Sequence, residues 1–216
     1  MLRVARSVAG SRTPILGVNI GGLGFLTAVP SKELSRALKN VWTGEFKFES
    51  RALIEASVRC DGRLIRAAAL NDIVISRGVI SRLIQLDVDV DGEPLTRYRG
   101  DGLIVSSPTG STAYSLAAGG ALVKPTAEVF ALTPICPHTL SNRSLILPLT
   151  STIRVRAISP KPSTILSADG DVIAELSDGD VVTIRRSRRT VRLMQLGDHS
   201  FFAALRQKLN WRGANV

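Results

Sequence analysis

Cysteine, histidine and aromatic residues are scarce in this chain, acidic residues are outnumbered, and no apolar run is long. There are two cysteines, two histidines, two tryptophans, two tyrosines and six phenylalanines in 216 residues. Cys60 and Cys136 are far apart and have no metal-type spacing, so two buried free thiols are expected rather than a disulfide framework or a thiolate cluster. No apolar stretch approaches the roughly 18 residues of a membrane span, and the N-terminus lacks the charged-then-apolar layout of a secretory signal. A cytoplasmic location and no membrane partner are therefore expected. So few Tyr and Trp leave little on which single-stranded nucleic acid could stack. The 28 Lys and Arg against 18 Asp and Glu give a net charge of +10. The densest basic cluster, Arg185, Arg186, Arg188 and Arg189, lies between Val181–Ile184 and Val191–Leu193. It reads as a hairpin with a solvated basic turn rather than a nucleic-acid contact, while the general positive field attracts polyanions.

What is present is a core-forming chain of one or two domains, with 44% hydrophobic residues. A helix over Met1–Arg6, a strand at Pro14–Val18 and the cluster Gly21-Gly22-Leu23-Gly24 resemble the end of a Rossmann-like unit. A short amphipathic helix is expected from Ser31 to about Val41, with Ser31 as N-cap and Glu33 in its first turn. The pattern then turns to β. Residues 49–59, 64–70, 72–76, 82–90, 151–158, 172–176 and 181–196 have strand character, and Asp61-Gly62, Asp91-Gly92, Asp169-Gly170 and Asp178-Gly179 punctuate them as hairpin turns. Ile153, Val155 and Ala157 alternate with Thr152, Arg154 and Arg156, as in a sheet with one buried face. The expected fold class is α/β plus all-β: the remnant of a Rossmann-like N-terminal domain (1–28), a two-sheet antiparallel β domain (29–196) and a C-terminal helical segment (197–216). Phe202, Leu205 and Leu209 have near-helical spacing in that last segment.

The densest chemical information lies in Asp101–Gly120, DGLIVSSPTGSTAYSLAAGG. Leu103, Ile104 and Val105 read as a buried strand, broken by Pro108, Thr109 and Gly110. Thr109, Ser111 and Thr112 then enter a helix running through Tyr114 to Ala118, which Gly119-Gly120 ends. One hydroxyl is expected to cap the helix while the others face outward, where they suit a phosphate or an adenine edge. No GxxxxGK[ST] loop and no HRD or DFG set occurs, which argues against a P-loop enzyme or a protein kinase.

This string strongly resembles the signature of the NAD kinase family, whose members transfer the terminal phosphate of ATP or polyphosphate to the adenosine 2′-hydroxyl of NAD. Gly17-Val18-Asn19 with Gly22–Leu26, then Leu70-Asn71-Asp72, then Thr133–Leu140 resemble the family in the same order. The resemblance covers Met1 to about Trp211. It implies a divalent cation (Mg or Mn) with ATP or polyphosphate as donor, NAD as acceptor, and a homo-oligomer, dimer or tetramer. The family's Gly-Gly-Asp-Gly loop, which carries the catalytic aspartate, directly precedes a helix like Met1–Arg6. The resemblance thus places that loop upstream of Met1, and the chain is read as shortened, a fragment, or a sequence started at an internal Met. No catalytic residue is expected within it, and loss of a positioned base implies transfer slowed by about 10²–10⁴-fold. The alternative is a non-catalytic NAD- or NADP-binding module or pseudo-kinase.

Residue by residue, the resemblance implies that Asn71 and Asp72 bind adenosine ribose hydroxyls and the adenine region. Many family members have Glu at the second position. Arg99 and Asp101 are implied to contact the pyrophosphate or nicotinamide end, sometimes from a neighbouring subunit, and Arg3 and Arg82 match further substrate-facing basic positions. Thr109, Thr112, Ala113, Tyr114, Ser115, Leu116 and Ala117 match the stretch that holds adenine and its ribose. His138 is expected to be structural. Asp171 stands where the family's Asp-Gly-Gln has Gln, and an acid there repels a pyrophosphate unless a cation intervenes.

Overall fold

The computed structural model describes residues 1–21, 24–27, 29–78, 82–138, 143–158, 164–197 and 200–210. Gly22, Leu23, Thr139, Leu140, His199 and Trp211, which fall within the segments given above, lie outside the described residues. Two compact units form: Met1, Arg3–Arg51 and Val191–Val216 make one, and Leu2 with Ala52–Thr190 the other.

In chain order the elements are α1 (Leu2–Val8), β1 (Pro14–Ile15), β2 (Val18–Asn19), β3 (Val29–Pro30) and α2 (Leu34–Trp42). Then follow β4 (Lys47–Cys60), β5 (Arg63–Ala69), β6 (Asp72–Arg77), β7 (Ile84–Val90), β8 (Glu93–Gly100) and β9 (Gly102–Ser106). After a 3₁₀ turn at Thr109–Thr112 come α3 (Tyr114–Ala117), β10 (Val129–Ile135), β11 (Leu145–Pro148), β12 (Ile153–Ile158), β13 (Thr164–Ala168), β14 (Asp171–Leu176), β15 (Val181–Gln195) and α4 (Phe201–Lys208).

The first unit holds the helices α1, α2 and α4. Its strands are short and parallel: β2 pairs β3, and β1 pairs the end of β15 through Pro14↔Arg192 and Ile15↔Leu193. Ser31 does not cap α2. It begins a 3₁₀ turn, Ser31–Glu33, whose N-cap is Pro30, and no side chain caps either turn or helix. A proline that sets φ ahead of a tight turn replaces the expected hydroxyl cap. On α4, Leu205 is buried while Phe202 and Leu209 are exposed. Phe201 stacks at a tilt against Phe25, ring centroids 6.3 Å apart, and the Lys208 ammonium lies 4.8 Å over the Phe25 ring. No described helix is long and apolar enough to cross a membrane.

The second unit is the two-sheet antiparallel domain that the alternation predicts. One sheet runs β5-β4-β15-β12-β7-β8 and the other β11-β10-β9-β6-β13-β14. Ile54, Val58, Leu86, Val88, Ile153, Val155 and Ile184 from the first sheet meet Ile73, Ile75, Leu103, Val105, Phe130, Leu132 and Leu166 from the second in one core. On β12 the buried residues are Ile153, Val155 and Ala157, with Arg154 and Arg156 exposed, so each strand contributes one face. Strand β9 is the exception, buried at every residue. Leu103 and Val105 enter the main core, while Ile104 packs with Val74, Ile135 and Ala118 on the opposite face. Its continuous apolar run is thus explained by cover on both sides.

Three of the four Asp-Gly pairs are two-residue hairpins. Asp61-Gly62, Asp91-Gly92 and Asp169-Gly170 all have positive φ at both residues, as a type I′ turn requires. Asp178-Gly179 is not a hairpin, because β14 and β15 belong to different sheets. The basic turn at 185–189 is also corrected. Val181–Gln195 is one uninterrupted 15-residue strand, in which Arg185 pairs Glu55 at 2.9 Å and Arg186 pairs Glu128 at 2.9 Å. A run of like charges resembles a solvated turn in sequence, but alternate arginines project from a strand towards different partners. The cysteines differ from expectation as well: Cys60 is half-buried and Cys136 exposed.

Candidate functional site

The signature is laid along the middle of the second sheet. Strand β9 pairs with β6 through Asp72↔Ser106 to Ser76↔Gly102, and with β10 through Ala131↔Ser106 to Ile135↔Gly102. Strand β13 pairs with β6 on its far side, Ala168 opposite Ile73. One end of this sheet therefore gathers the start of β6, the end of β9 and the β13–β14 turn. Asn71, Asp72, Ser106–Thr112 and Asp169 meet there.

That end is held almost entirely by polar contacts to backbone. Ser107 Oγ donates to the Leu70 carbonyl at 2.5 Å, the Ser107 amide to the Asn71 carbonyl at 2.8 Å, and Ser106 Oγ also reaches the Asn71 carbonyl at 3.3 Å. On the other side of the same loop the Asp169 carboxylate accepts the amides of Leu70 at 3.0 Å, Asn71 at 2.7 Å and Asp72 at 3.4 Å. The loop's donors and acceptors are thus met by partners 35 to 99 residues away in sequence.

Asp72 is buried, with 5% of its surface exposed. Burial, with the Asp169 charge adding to it, pushes its carboxyl up to about 6. Among the described residues Asn71 Oδ1 is buried without a partner. A buried acceptor without a donor among the described residues thus stands next in sequence to a buried carboxyl at this end of the sheet.

The segment after β9 is not the helix expected. A 3₁₀ turn, Thr109–Thr112, leads through Ala113 (φ −106°, ψ −127°) into a helix of four residues; the expected cap from Thr109, Ser111 or Thr112 is not made, and Ser107 Oγ accepts the Gly110 amide at 3.2 Å. Ser111 Oγ instead bridges to the Pro108 carbonyl at 2.8 Å and to both the amide and carbonyl of Val123 at 3.1 Å. Gly119, at φ +80°, ends the helix: its amide meets the Leu116 carbonyl at 3.0 Å and that of Gly120 meets the Ser115 carbonyl at 2.7 Å, the Schellman pattern.

Of the matched residues here, Thr109 and Ser115 are buried, Thr112, Ala113 and Leu116 half-buried, and Tyr114 and Ala117 exposed. The Ser115 hydroxyl is bonded to Thr133 Oγ1 at 3.0 Å, and Thr133 to Ser144 Oγ at 2.9 Å, so it supports the loop from beneath.

Arg82, Arg99 and Asp101 are not brought to this end. They precede β7, close β8 and precede β9, and gather where Ile84 pairs Gly100. The five residues of β9 span about 17 Å between the two ends. Asp101 Oδ1 is held there by Arg77 Nε at 2.8 Å, and the Arg77 amide donates to the Asp101 carbonyl at 2.9 Å. His138 is exposed and its amide donates to the Arg99 carbonyl, a backbone role consistent with a structural residue. Arg3 belongs to the other unit, exposed on α1. Asp171 opens β14.

Sequence reading passed over Ser107, Gly110, Asp169 and Arg77 as site residues. Asp169 carried a signal, an Asp-Gly pair, but it was spent on predicting the turn. Nothing local marks Arg77, whose partner Asp101 immediately precedes the neighbouring strand.

Comparison with known proteins defines the class. Residues 1–46 match the ATP-NAD kinase N-terminal domain and residues 70–196 the ATP-NAD kinase C-terminal domain. An NAD kinase of Moorella thermoacetica is 46% identical over 214 residues, 99% of this chain and 69% of the relative. One of Syntrophotalea carbinolica is 45% identical over 212 residues, 98% of this chain and 74% of the relative. Yeast NADH kinase, solved with NADH, superposes with a TM-score of 0.91 at 32% identity, over 99% of this chain and 63% of its own. An NAD kinase from Archaeoglobus fulgidus, solved with ATP, gives 0.75 at 29% identity, over 93% of this chain and 75% of its own. The architecture is that of a phosphotransferase acting on a dinucleotide. The chain belongs to the NAD kinase family.

Proposed function

We propose that this chain binds NAD for transfer of the terminal phosphate of ATP or polyphosphate to the adenosine 2′-hydroxyl, giving NADP, a step of NADP biosynthesis. The observation that carries this reading is the buried Asn71 Oδ1, an acceptor without a donor among the described residues, next in sequence to the buried Asp72 at this end of the second sheet. A ribose hydroxyl supplies the donor that Asn71 Oδ1 lacks, and the Asp72 carboxylate is suited to accept from vicinal hydroxyls. Thr109, Thr112, Ala113, Leu116 and Ala117 line the adenine side with Tyr114 offering an exposed ring face, and Ser115 holds the turn in place.

Arg82, Arg99 and Asp101, about one strand length away, are assigned to the pyrophosphate or nicotinamide end of NAD bound by a neighbouring subunit. This makes the working form a homo-oligomer. Arg3 is assigned to substrate charge. Transfer needs a base for the ribose proton, and none of these residues is given that role.

Among the described residues no group of three or more His, Cys, Asp or Glu could hold a metal ion. The Mg or Mn of such a transfer is thus assigned to the donor's phosphates, with which Mg commonly travels. The cytoplasm is proposed as its compartment.

The test is NADP formation from NAD with ATP or polyphosphate and a divalent cation, run beside a calorimetric titration with NAD. Binding with turnover is expected of a kinase. Binding without turnover would make the chain an NAD-binding module, and no binding would overturn both readings.

A further inference from the structure

We propose that Asp169 is a positioning residue for NAD, fixing the Leu70–Asp72 loop so that Asn71 and Asp72 face the substrate in one geometry. This rests on the reading that the loop is the ribose site.

The argument begins with hydrogen-bond capacity. A loop of three residues entering a buried strand presents three amides that no sheet partner meets, and each unmet amide costs about 1–3 kcal/mol. Asp169 meets all three, using Oδ2 for Leu70 and Oδ1 for Asn71 and Asp72. Its own amide donates to the Asp72 carbonyl at 3.0 Å, so the turn grips the loop from both its backbone and its side chain.

The residue type is dictated as well. Asp169 has φ +51° in a type I′ turn, a region that Asp and Asn tolerate. Only Asp combines that tolerance with two acceptor oxygens and no donor. Asn fits the turn but would turn an amide donor towards a backbone amide. Glu has the acceptors, but its extra methylene displaces them by more than a hydrogen bond accommodates.

Asp169 also acts on Asp72 through its charge. Among the described residues it is the one charged group that raises the Asp72 carboxyl beyond the effect of burial. A scaffold residue that only stabilised the fold would not alter that titration. Asp169 does both, linking the geometry of the loop to the protonation of the acceptor within it.

The experiment is calorimetric titration of NAD into the wild-type chain and Asp169→Asn between pH 5 and 8, with the folded fraction measured in parallel. We expect NAD affinity per folded molecule to fall about tenfold in Asp169→Asn, and the midpoint of its pH dependence to move to lower pH. Unchanged affinity and midpoint would overturn the proposal, leaving the ribose-site reading intact. Failure of the wild type to bind NAD would overturn both. Should Asp169→Asn not fold, Ser107→Ala releases the carbonyl side of the same loop. It should weaken NAD binding severalfold, and unchanged affinity there would overturn the positioning role.

Discussion

Gly110 lies so close to Asn71 that a Cβ at position 110 would sit 2.1 Å from the Asn71 carbonyl oxygen and 2.6 Å from its Cα. The contact is backbone against backbone, so no flexible side chain can yield. Glycine is required for approach here, since its φ is not in the left-handed region. Gly110→Ala must push the Asn71 loop away from the signature turn. A loss of about 1–3 kcal/mol is expected from overpacking, with weaker NAD binding. Thermal unfolding and NAD titration check it; a variant with wild-type values in both would show that the two segments separate at no cost.

Asp72 predicts an unusual pH dependence. Its carboxyl is raised to about 6, so the folded state holds this proton more tightly than the unfolded chain does. The stability it contributes is complete below about pH 4, is lost as pH rises through about 6, and changes no further above that. Asp72→Asn keeps the shape and cannot ionise. It should be more stable than wild type above pH 6, by up to about 3 kcal/mol, with the difference shrinking towards pH 4. NAD affinity should fall in the same variant. Urea unfolding at pH 4.5, 5.5, 6.5 and 7.5 measures the first effect, and a constant difference across that range would contradict it.

The Arg77–Asp101 pair separates stability from function. Both side chains are about one-third exposed, so the pair contributes less than about 1 kcal/mol. Arg77→Ala should barely shift the melting temperature. It releases the Asp101 carboxylate, and if that group faces the nicotinamide end of NAD, the dissociation constant rises severalfold. A large melting shift with unchanged binding would contradict the assignment.

The hydroxyl chain from buried Ser115 and Thr133 to half-buried Ser144 predicts the reverse. Thr133→Val keeps volume and removes the central oxygen, leaving two hydroxyls facing a methyl group. A loss of about 1–3 kcal/mol is expected. Gly120 is packed on the same groups, with an added Cβ only 2.2 Å from Ser115 Oγ. Gly120→Ala should therefore destabilise at least as much, as differential scanning calorimetry would show.

The sequence by itself determined the two-sheet domain, three of its hairpins and the family. Each is written in local chemistry: period-two alternation, as in Ile153, Val155 and Ala157, Asp-Gly pairs that accept positive φ, and one contiguous signature. Local chemistry misled where a residue has two uses. Arg185–Arg189 resembles a turn and is a strand, and Thr109, Ser111 and Thr112 resemble caps but lie in a turn whose Gly110 amide is met by Ser107 Oγ. Only the tertiary structure decided that Asp101 and Asp72 stand at opposite ends of the paired strands β6 and β9, that Ser107 and Asp169 grip the Asn71 loop from two sides, and that Arg77 holds Asp101. Those relations depend on which strands become neighbours, and strand neighbourhood is set by burial across the whole sheet rather than by the few residues that then touch.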